Sequence, residues 1–212
     1  MATKTATEEL ELLDLGTDDH GPGEGGFGPG DGEGHRAGPL RPSYVYVTGI
    51  WLALAAILMF FLALTSAFIV RKGLSNDWVP VAWPGILWFN TLVLLASSLT
   101  LERARSLLTG ANLGGFRRWW ATTTGLGLIF LLGQVIAWRQ LAAAGFYVST
   151  NPSSSFFYLL TAAHGTHLLG GIVALLYVGA RHRLTAVKVS SLYWHFMGGL
   201  WVFLFLLLQL GQ

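Results

Sequence analysis

Five long stretches of apolar residues, separated by short polar segments, dominate the chain from residue 44 onwards. A hydrocarbon core of about 30 Å is crossed by roughly 20 residues of α-helix, with a range of about 17–25. Five stretches meet that requirement: 44–70, 84–101, 119–138, 156–179 and 191–210. The pattern predicts five transmembrane helices.

The apolar runs are continuous, and this separates them from the strands of a membrane β-barrel. A barrel strand alternates apolar and polar positions over segments of about 10 residues. Composition favours the same conclusion, because 53% of the residues are hydrophobic and 11% are charged, whereas soluble domains carry about 25% charged residues. We therefore expect an all-α membrane protein built as a five-helix bundle, with no nucleic-acid partner.

Residues 1–43 differ from the rest of the chain in composition and charge. They hold nine acidic and three basic residues, whereas residues 44–212 hold two acidic and ten basic ones. Ten glycines fall between Gly16 and Gly38. Such a segment buries too little apolar surface to offset the entropy of ordering its backbone. We predict a disordered, acidic, Gly/Pro-rich tail over 1–43 and a membrane domain over 44–212.

The cations between the predicted helices are distributed unevenly, and this predicts an orientation. Basic loops stay in the cytoplasm. Nine cations fall on one side: Arg36, Arg41, Arg103, Arg105, Arg117, Arg118, Arg181, Arg183 and Lys188. Three fall on the other: Arg71, Lys72 and Arg139. We expect a multi-pass membrane protein with its N-terminus in the cytoplasm and its C-terminus outside.

Few residues in the membrane domain can carry ion or electron chemistry. The chain has no cysteine, and its acidic residues after the tail, Asp77 and Glu102, lie at the ends of predicted helices. Ion and proton pathways through membranes usually contain charged residues within the bilayer. A stand-alone pump or a small transporter is therefore disfavoured.

Three histidines in the last two predicted helices suggest a metal or haem site, because imidazole is a common ligand. His164 and His167 lie three residues apart on one helix face, and His195 lies near the inner end of the next helix. Counting about 1.5 Å per residue leaves roughly 8–12 Å of depth between His195 and the pair. Metal–imidazole bonds are about 2.0–2.1 Å long, so the three cannot share one metal. We expect no metal site, and contacts between helices or to a neighbouring subunit or lipid headgroup instead.

A second interpretation of these histidines stays open, in which the chain itself binds haem. A stand-alone b-type haem protein could use His164 or His167 as an axial ligand. An optical spectrum of the isolated chain would distinguish a haem protein from a helix bundle without a cofactor.

Small and polar residues within the predicted helices indicate close packing. Ala162, Thr166 and Gly170 recur at four-residue spacing, which predicts a face that a neighbouring helix approaches closely. Asn90 and Gln134 supply hydrogen-bonding groups in two other helices. A helix bundle with polar seams explains these residues, and a surface shaped for one large partner is the alternative.

Four segments together resemble subunit III of the haem–copper oxidases. The first two are SSFFYLLTAAHGTHLLGG at 154–171 and SLYWHFMGGLWVFLF at 191–205, which contain His164, Gly165 and His167, then Tyr193, Trp194, His195, Phe196 and Trp201. The other two are FNTLVLLASSLTLERA at 89–104, with Asn90, and LGLIFLLGQVIAW at 126–138, with Gln134. The resemblance covers about residues 44–211 in order.

The resemblance implies an accessory, non-catalytic subunit of a bacterial terminal oxidase in the cytoplasmic membrane. Such a subunit binds no redox metal itself. It packs against catalytic subunit I, which carries haem and copper, and it accompanies subunits II and IV. It also holds phospholipid. The candidate lipid or subunit contacts are His164, His167, Trp194, His195, Trp201, Asn90 and Gln134. The electron donor, cytochrome c or quinol, and membership of a nitric-oxide reductase system stay open.

The chain also departs from the family pattern. Many relatives have seven spans, whereas five are predicted here, as in the shorter bacterial forms. Ile57 stands where the family often has a glutamate, and Gly198 stands where an acidic residue is common. A proton-handling role for those carboxylates therefore does not transfer to this chain, whereas a structural role does.

Overall fold

Five long α-helices form the structure, a computed structural model that describes residues 43–74, 84–148, 151–181 and 184–211. The helices are α1 (Ser43–Leu74), α2 (Ile86–Thr109), α3 (Leu113–Ala143), α4 (Pro152–Arg181) and α5 (Leu184–Leu210). Each contains most or all of one predicted apolar stretch, and all regular structure in the described residues is helical. The all-α fold class is confirmed.

Four of the helices in the described residues are long and apolar enough to cross a membrane: Val47–Leu74, Leu113–Ala143, Pro152–Arg181 and Leu184–Leu210. Helix α2 is not among them, because Asn90 interrupts its apolar run and Glu102, Arg103 and Arg105 occupy its second half. The chain is thus a multi-pass membrane protein, and the count of five spans stays a prediction. The predicted tail, residues 1–43, lies outside the described residues apart from its last position.

Local side-chain and backbone hydrogen bonds set where the helices begin. Asn112 caps α3, because its side-chain oxygen accepts a 2.9 Å hydrogen bond from the backbone N–H of Gly115. Asn151 does the same for α4, with a 2.9 Å bond from the backbone N–H of Ser154. Such caps satisfy N–H groups that have no partner within the helix. Helix α2 begins at Ile86, two residues later than predicted.

Helices α2 and α3 form an antiparallel pair, and α4 lies antiparallel to both α3 and α5. The hydroxyl oxygens of Thr100 and Thr123 are 2.9 Å apart across the α2–α3 seam. The indole N–H of Trp120 donates a 2.8 Å hydrogen bond to the carbonyl of Leu175 across the α3–α4 seam. Helix α1 packs chiefly against α4 and α5. The contacts between neighbours therefore include hydrogen bonds as well as apolar packing.

Aromatic side chains fill the centre of the bundle, and apolar side chains also cover its outside. The largest fully buried side chains include Trp194, Trp201, Phe61, Phe116 and Phe130. Exposed apolar side chains on α1 include Trp51, Leu52 and Met59. An exterior of this kind belongs in lipid or against other membrane subunits, because water would not solvate it favourably.

The four-residue stripe on α4 does not form the predicted packing face. Thr166 and Gly170 are exposed, and a Cβ added at Gly170 would meet no atom within 4 Å. Close approach occurs instead at glycines that each accommodate one large side chain. Gly133 accommodates Asn90, Gly171 accommodates Tyr193, and Gly179 accommodates Trp120. For packing within this chain the prediction was wrong, because spacing alone does not show which face of a helix meets a neighbour. The alternative, a surface shaped for one large partner, stays a prediction.

Candidate functional site

Two tryptophans on α5 join that helix to α2 through paired hydrogen bonds. Trp194 and Trp201 are seven residues apart, so they lie on one face of α5. The indole N–H of Trp194 donates a 3.0 Å hydrogen bond to Ser97 Oγ. That of Trp201 donates a 3.0 Å hydrogen bond to Thr91 Oγ1. Both tryptophans are buried, so these bonds satisfy N–H groups that no lipid could satisfy.

Each hydroxyl in these pairs also bonds its own helix. Ser97 Oγ donates a 2.6 Å hydrogen bond to the carbonyl of Leu94, and Thr91 Oγ1 donates a 2.8 Å bond to the carbonyl of Leu87. The hydroxyl proton is therefore used within α2, which leaves the oxygen lone pairs free to accept from the indoles. This arrangement fixes the position of α5 along α2.

His164 lies in an aromatic enclosure at the centre of the bundle. Its ring centroid is 5.1 Å from that of Trp201, 5.8 Å from that of Phe130 and 6.5 Å from that of Phe61. The residue is fully buried, and neither ring nitrogen has a hydrogen-bond partner within the described part of the chain. The imidazole packs as an aromatic ring there and does not face the membrane surface.

Asn90 and Gln134 place further polar atoms inside the bundle. The Asn90 side chain lies directly against Gly133, so closely that a Cβ at that glycine would overlap its amide oxygen. Gln134 follows Gly133 in α3 and is also buried. In the described residues, neither amide group has a hydrogen-bond partner. Both side chains lie in the interior of the bundle.

His167 is half-buried and lies between α1 and α5. Its Nδ1 is 2.8 Å from the carbonyl of Ala163, one turn earlier in α4, and its ring centroid is 5.6 Å from that of Phe61. The backbone carbonyl of His167 accepts a 2.8 Å hydrogen bond from the Tyr193 hydroxyl. The residue therefore contributes to both the α1–α4 and the α4–α5 contacts.

His195 belongs to an ion cluster with Glu102 and Arg105, in the half of the bundle where α2 ends and α5 begins. Its Nε2 lies 3.7 Å from Glu102 Oε2, and Arg105 Nη1 lies 3.2 Å from the same oxygen. Arg105 follows Glu102 by three residues, a spacing that places both side chains on one face of α2. The sequence analysis named His195 as a candidate contact residue but did not predict its contact with Glu102. That contact follows from the hydrogen bond between Trp194 and Ser97, which brings this part of α5 beside α2.

The three histidines face different surroundings. His164 lies among aromatic rings, His167 bonds its own helix, and His195 approaches a carboxylate. Across residues 43–74, 84–148, 151–181 and 184–211, no group of three or more His, Cys, Asp or Glu side chains is placed to hold a metal ion. The arrangement as described joins helices through polar and aromatic contacts.

The helices, their polar seams and their apolar exterior define a multi-pass helical membrane protein. The family model described as cytochrome c oxidase subunit III matches residues 45–210, which includes nearly all of the five-helix region. The chain therefore belongs to the cytochrome c oxidase subunit III family, as its sequence motifs had indicated.

Individual relatives agree with this assignment. "Cytochrome c oxidase subunit 3" of Synechocystis sp. (strain ATCC 27184 / PCC 6803 / Kazusa) is 29% identical over 198 residues, covering 87% of this chain and 82% of the relative. "Probable cytochrome c oxidase subunit 3" of Mycobacterium tuberculosis (strain ATCC 25618 / H37Rv) is 35% identical over 178 residues, covering 78% and 87% respectively. "Cytochrome c oxidase subunit 3" of Corynebacterium diphtheriae (strain ATCC 700971 / NCTC 13129 / Biotype gravis) is 31% identical, with coverage of 81% and 90%. The chain is a subunit III of a terminal oxidase.

Proposed function

We propose that this chain is the accessory, non-catalytic subunit of a haem–copper terminal oxidase in the bacterial cytoplasmic membrane. It holds the catalytic subunit in its working form while the complex oxidises cytochrome c, reduces oxygen to water and moves protons. The observation that carries the proposal is the subunit III family match across residues 45–210. The names of the relatives, cytochrome c oxidase subunit 3, support cytochrome c as the electron donor.

A structural role is supported by how the chain uses its buried polar side chains. Trp194 and Trp201 bond Ser97 and Thr91 across the α2–α5 seam. A rigid bundle of this kind presents a fixed apolar surface, on which a large membrane subunit can dock with little loss of conformational entropy. The proposed partners are catalytic subunit I and, with it, subunits II and IV.

The seven candidate contact residues fall into two groups, one partly exposed and one buried. His167 and His195 keep accessible surface, so we assign them direct contacts with a neighbouring subunit or a lipid headgroup. The buried residues act indirectly, by fixing the shape of the surface that the partner meets. They are His164, Trp194, Trp201, Asn90 and Gln134.

The proposal includes an orientation and a span count. Helix α2 crosses the membrane with the other four, and the end of the bundle that holds Glu102, Arg105 and His195 faces the cytoplasm. The cation distribution in the sequence supports this orientation, because basic loops stay on the cytoplasmic side. The N-terminal tail is then cytoplasmic and the C-terminus lies outside.

Affinity purification of the full chain tests the subunit assignment. The tagged chain is extracted from its own membranes in a mild detergent, and the co-purified proteins are identified by mass spectrometry and an optical spectrum. We expect a haem-containing oxidase subunit in a stable ratio to the chain, and none from cells with an untagged chain. Purification of the intact chain without any haem–copper subunit would contradict the proposal.

The same preparation distinguishes the subunit from a stand-alone haem protein. After the chain has been separated from its partners, we expect its spectrum to lack a Soret band, because the His164 ring is enclosed by Phe61, Phe130 and Trp201. A Soret band that stays with this chain and disappears in His164→Ala would replace the proposal. Oxygen consumption by the complex with reduced cytochrome c, compared with quinol, tests the donor.

A further inference from the structure

A strongly basic surface lies at the end of the bundle where α2 and α4 end and α3 and α5 begin. The hydrogen bond from Trp120, early in α3, to Leu175, late in α4, places both connections at this end. Five exposed cations and the half-buried Arg105, which is paired with Glu102, form what we call the basic surface. Among the described residues, six cations and one carboxylate leave a surplus of five positive charges there. The cations are Arg103, Arg105, Arg117, Arg118, Arg181 and Lys188.

Helix α1 begins at the same end of the bundle. The ring centroids of Phe68, late in α1, and Phe156, early in α4, are 5.6 Å apart. Two turns earlier in α1, the ring centroid of Phe61 is 6.5 Å from that of His164, about two turns later in α4. The two helices are therefore antiparallel, and Ser43, the first residue of α1, lies at the end where α4 ends. Residues 1–42 are thus tethered at the end that carries the basic surface.

Nearly all the carboxylates that the sequence can bring to this surface precede α1. The chain has 11 acidic residues, and nine of them lie before Ser43. Of the other two, Glu102 already belongs to the surface, and Asp77 follows α1 by three residues, at the opposite end of the bundle. Three residues of chain span at most about 11 Å, whereas the 32 residues of α1 extend about 48 Å. Asp77 therefore cannot reach the basic surface.

One short segment of the sequence complements the basic surface in charge and in apolar character. Residues 8–19, which we call the acidic segment, contain six acidic residues and no lysine or arginine. Six negative charges against a surplus of five positive ones make the pair nearly neutral. The segment also carries leucines, and Leu113 and Trp119 expose apolar side chains at the start of α3. Its acidic residues are Glu8, Glu9, Glu11, Asp14, Asp18 and Asp19.

The chain between the acidic segment and α1 is long enough to reach across the end of the bundle. Residues 20–42 include nine glycines among 23 positions, a composition that predicts a flexible spacer with an r.m.s. length of about 24–29 Å. Neighbouring helices pack about 8–10 Å apart, so a bundle of five helices is roughly 20–30 Å across. A flexible linker that matches the span raises the effective concentration of the tethered segment to about millimolar.

We propose that the acidic segment docks on the basic surface of its own chain and covers it. Its carboxylates bond the exposed guanidinium groups of Arg103, Arg117 and Arg118, because a planar guanidinium donates two parallel hydrogen bonds to a carboxylate. The contact is held by charge and does not require the segment to fold. Charge match and tethering favour the segment over anionic lipid headgroups, which compete for the same cations. The inference goes beyond the proposed function, because both surfaces belong to this chain and neither depends on another subunit.

Distance measurements between two spin labels test the contact in the full chain. The natural chain has no cysteine, so Gly16→Cys in the acidic segment and Gly114→Cys at the start of α3 take one label each. The chain, with the subunits that accompany it, is reconstituted in nanodiscs of phosphatidylcholine alone, and pulsed electron paramagnetic resonance measures the distances. We expect one short, narrow distance population at low salt. In about 1 M salt, where the screening length is about 3 Å, a broad distribution should replace it.

Charge variants of the acidic segment identify the carboxylates that make the contact. The test variant removes three of them and should lower the ratio of docked to free populations about threefold or more, because three exposed ion pairs are lost. It combines Glu8→Gln, Glu9→Gln and Glu11→Gln. The matched control removes three carboxylates of the spacer and should have a smaller effect. It combines Glu24→Gln, Asp31→Asn and Glu33→Gln.

Reciprocal variants and a change of lipid test the basic surface. Arg117→Gln combined with Arg118→Gln removes two exposed cations and should lower the same ratio about twofold or more. Arg139→Gln removes a cation near the opposite end of α3 and should leave the ratio unchanged. Phosphatidylglycerol in the nanodiscs offers the cations a competing anion, and we expect the short distance to persist in its presence.

Several results would overturn the inference. One is a broad distance distribution at low salt, and another is an unchanged ratio in the variant that lacks Arg117 and Arg118. Equal effects of the test and spacer variants would show attraction by net charge alone. Loss of the short distance on addition of phosphatidylglycerol would assign the surface to lipid headgroups. A short distance that disappears when doubly labelled chains are diluted with unlabelled ones would assign the contact to a second copy of the chain.

Discussion

Trp194 on α5 and Ser97 on α2 are joined by a 3.0 Å hydrogen bond between the indole nitrogen and the serine oxygen. The same oxygen donates its proton to the carbonyl of Leu94. One small hydroxyl thus links two helices and satisfies a group that would otherwise be unpaired in the apolar interior. The bond joins residues 97 positions apart in sequence, so it forms only when the bundle has assembled.

Removing the indole N–H should weaken the α2–α5 contact by a measurable amount. Trp194→Phe keeps an aromatic ring but loses the hydrogen bond to Ser97. A double-mutant cycle with Ser97→Ala should give a coupling free energy of about 0.6 kcal/mol, with an upper limit near 1.7 kcal/mol, as for other hydrogen bonds within membranes. Unfolding of the purified chain in mixed micelles measures it.

Trp51→Phe is the matched control for that cycle. Trp51 is 58% exposed on the outside of α1, so its replacement should change the free energy of unfolding less than Trp194→Phe does. Additive effects of Trp194→Phe and Ser97→Ala, with no coupling between them, would show that the hydrogen bond contributes nothing to stability.

Gly133→Ala should be strongly destabilising because α2 and α3 meet there with no room for a methyl group. The new Cβ would overlap the side-chain oxygen of Asn90, so either the amide or the helix must move. Overpacking of a buried site typically costs about 1–3 kcal/mol. Thermal unfolding of the detergent-solubilised complex should show a lower midpoint for this variant.

Two further variants identify the cause of that loss. Gly125→Ala introduces the same methyl group into α3, at a position with no atom within 4 Å of the new Cβ, and should stabilise the helix by up to about 1 kcal/mol. Adding Asn90→Ala to Gly133→Ala should restore much of the lost stability. If the double variant is no more stable than Gly133→Ala, the overlap with Asn90 is not the reason.

The ion cluster at the end of α2 should matter little for stability. Glu102 and Arg105 have side chains that are 55% and 41% exposed, and exposed ion pairs contribute about 0.2–1 kcal/mol. Glu102→Gln should therefore lower the free energy of unfolding by less than about 1 kcal/mol at low salt. In about 1 M salt the difference should disappear, because the screening length falls to about 3 Å. A loss of free energy of unfolding well above about 1 kcal/mol would contradict this prediction and give the cluster a larger role. Arg118→Gln is the control, because it also removes one exposed charge.

Single-cysteine labelling tests whether α2 crosses the membrane. The natural chain has no cysteine, so each introduced thiol reports one position. Leu74→Cys at the end of α1 and Gly114→Cys at the start of α3 should react with an impermeant reagent from opposite sides of the membrane. We expect Leu74→Cys to be accessible from outside and Gly114→Cys from inside. Reaction of both from one side would exclude a spanning α2.

The sequence predicted the helices well because the physical cause is local. A run of about 20 apolar residues in lipid must satisfy its own backbone groups, and an α-helix does this within the segment. The ends were harder, since they depend on particular caps such as Asn112 and Asn151. Each of these lies outside the apolar stretch that defined the prediction, and the observed helices extend towards them.

The helix contacts were only partly predictable. Trp194, Trp201, Asn90 and Gln134 were identified as candidate contact residues, but the sequence could not show that Ser97 and Thr91 accept from the tryptophans. Hydrogen bonds between helices depend on their register and rotation, which emerge only when the whole bundle packs. The same reason explains why a four-residue stripe on α4 was mistaken for a packing face.

Helix α1 is held to the bundle chiefly by α4 and α5, and much of its circumference carries exposed apolar side chains. Its removal would disturb few of the tryptophan bonds, which lie among the other four helices. The chain thus divides mechanically into a four-helix unit and one outlying helix. When detergent strips away the surrounding lipid and protein, α1 should separate first, and its backbone amides should be the earliest to exchange with deuterium.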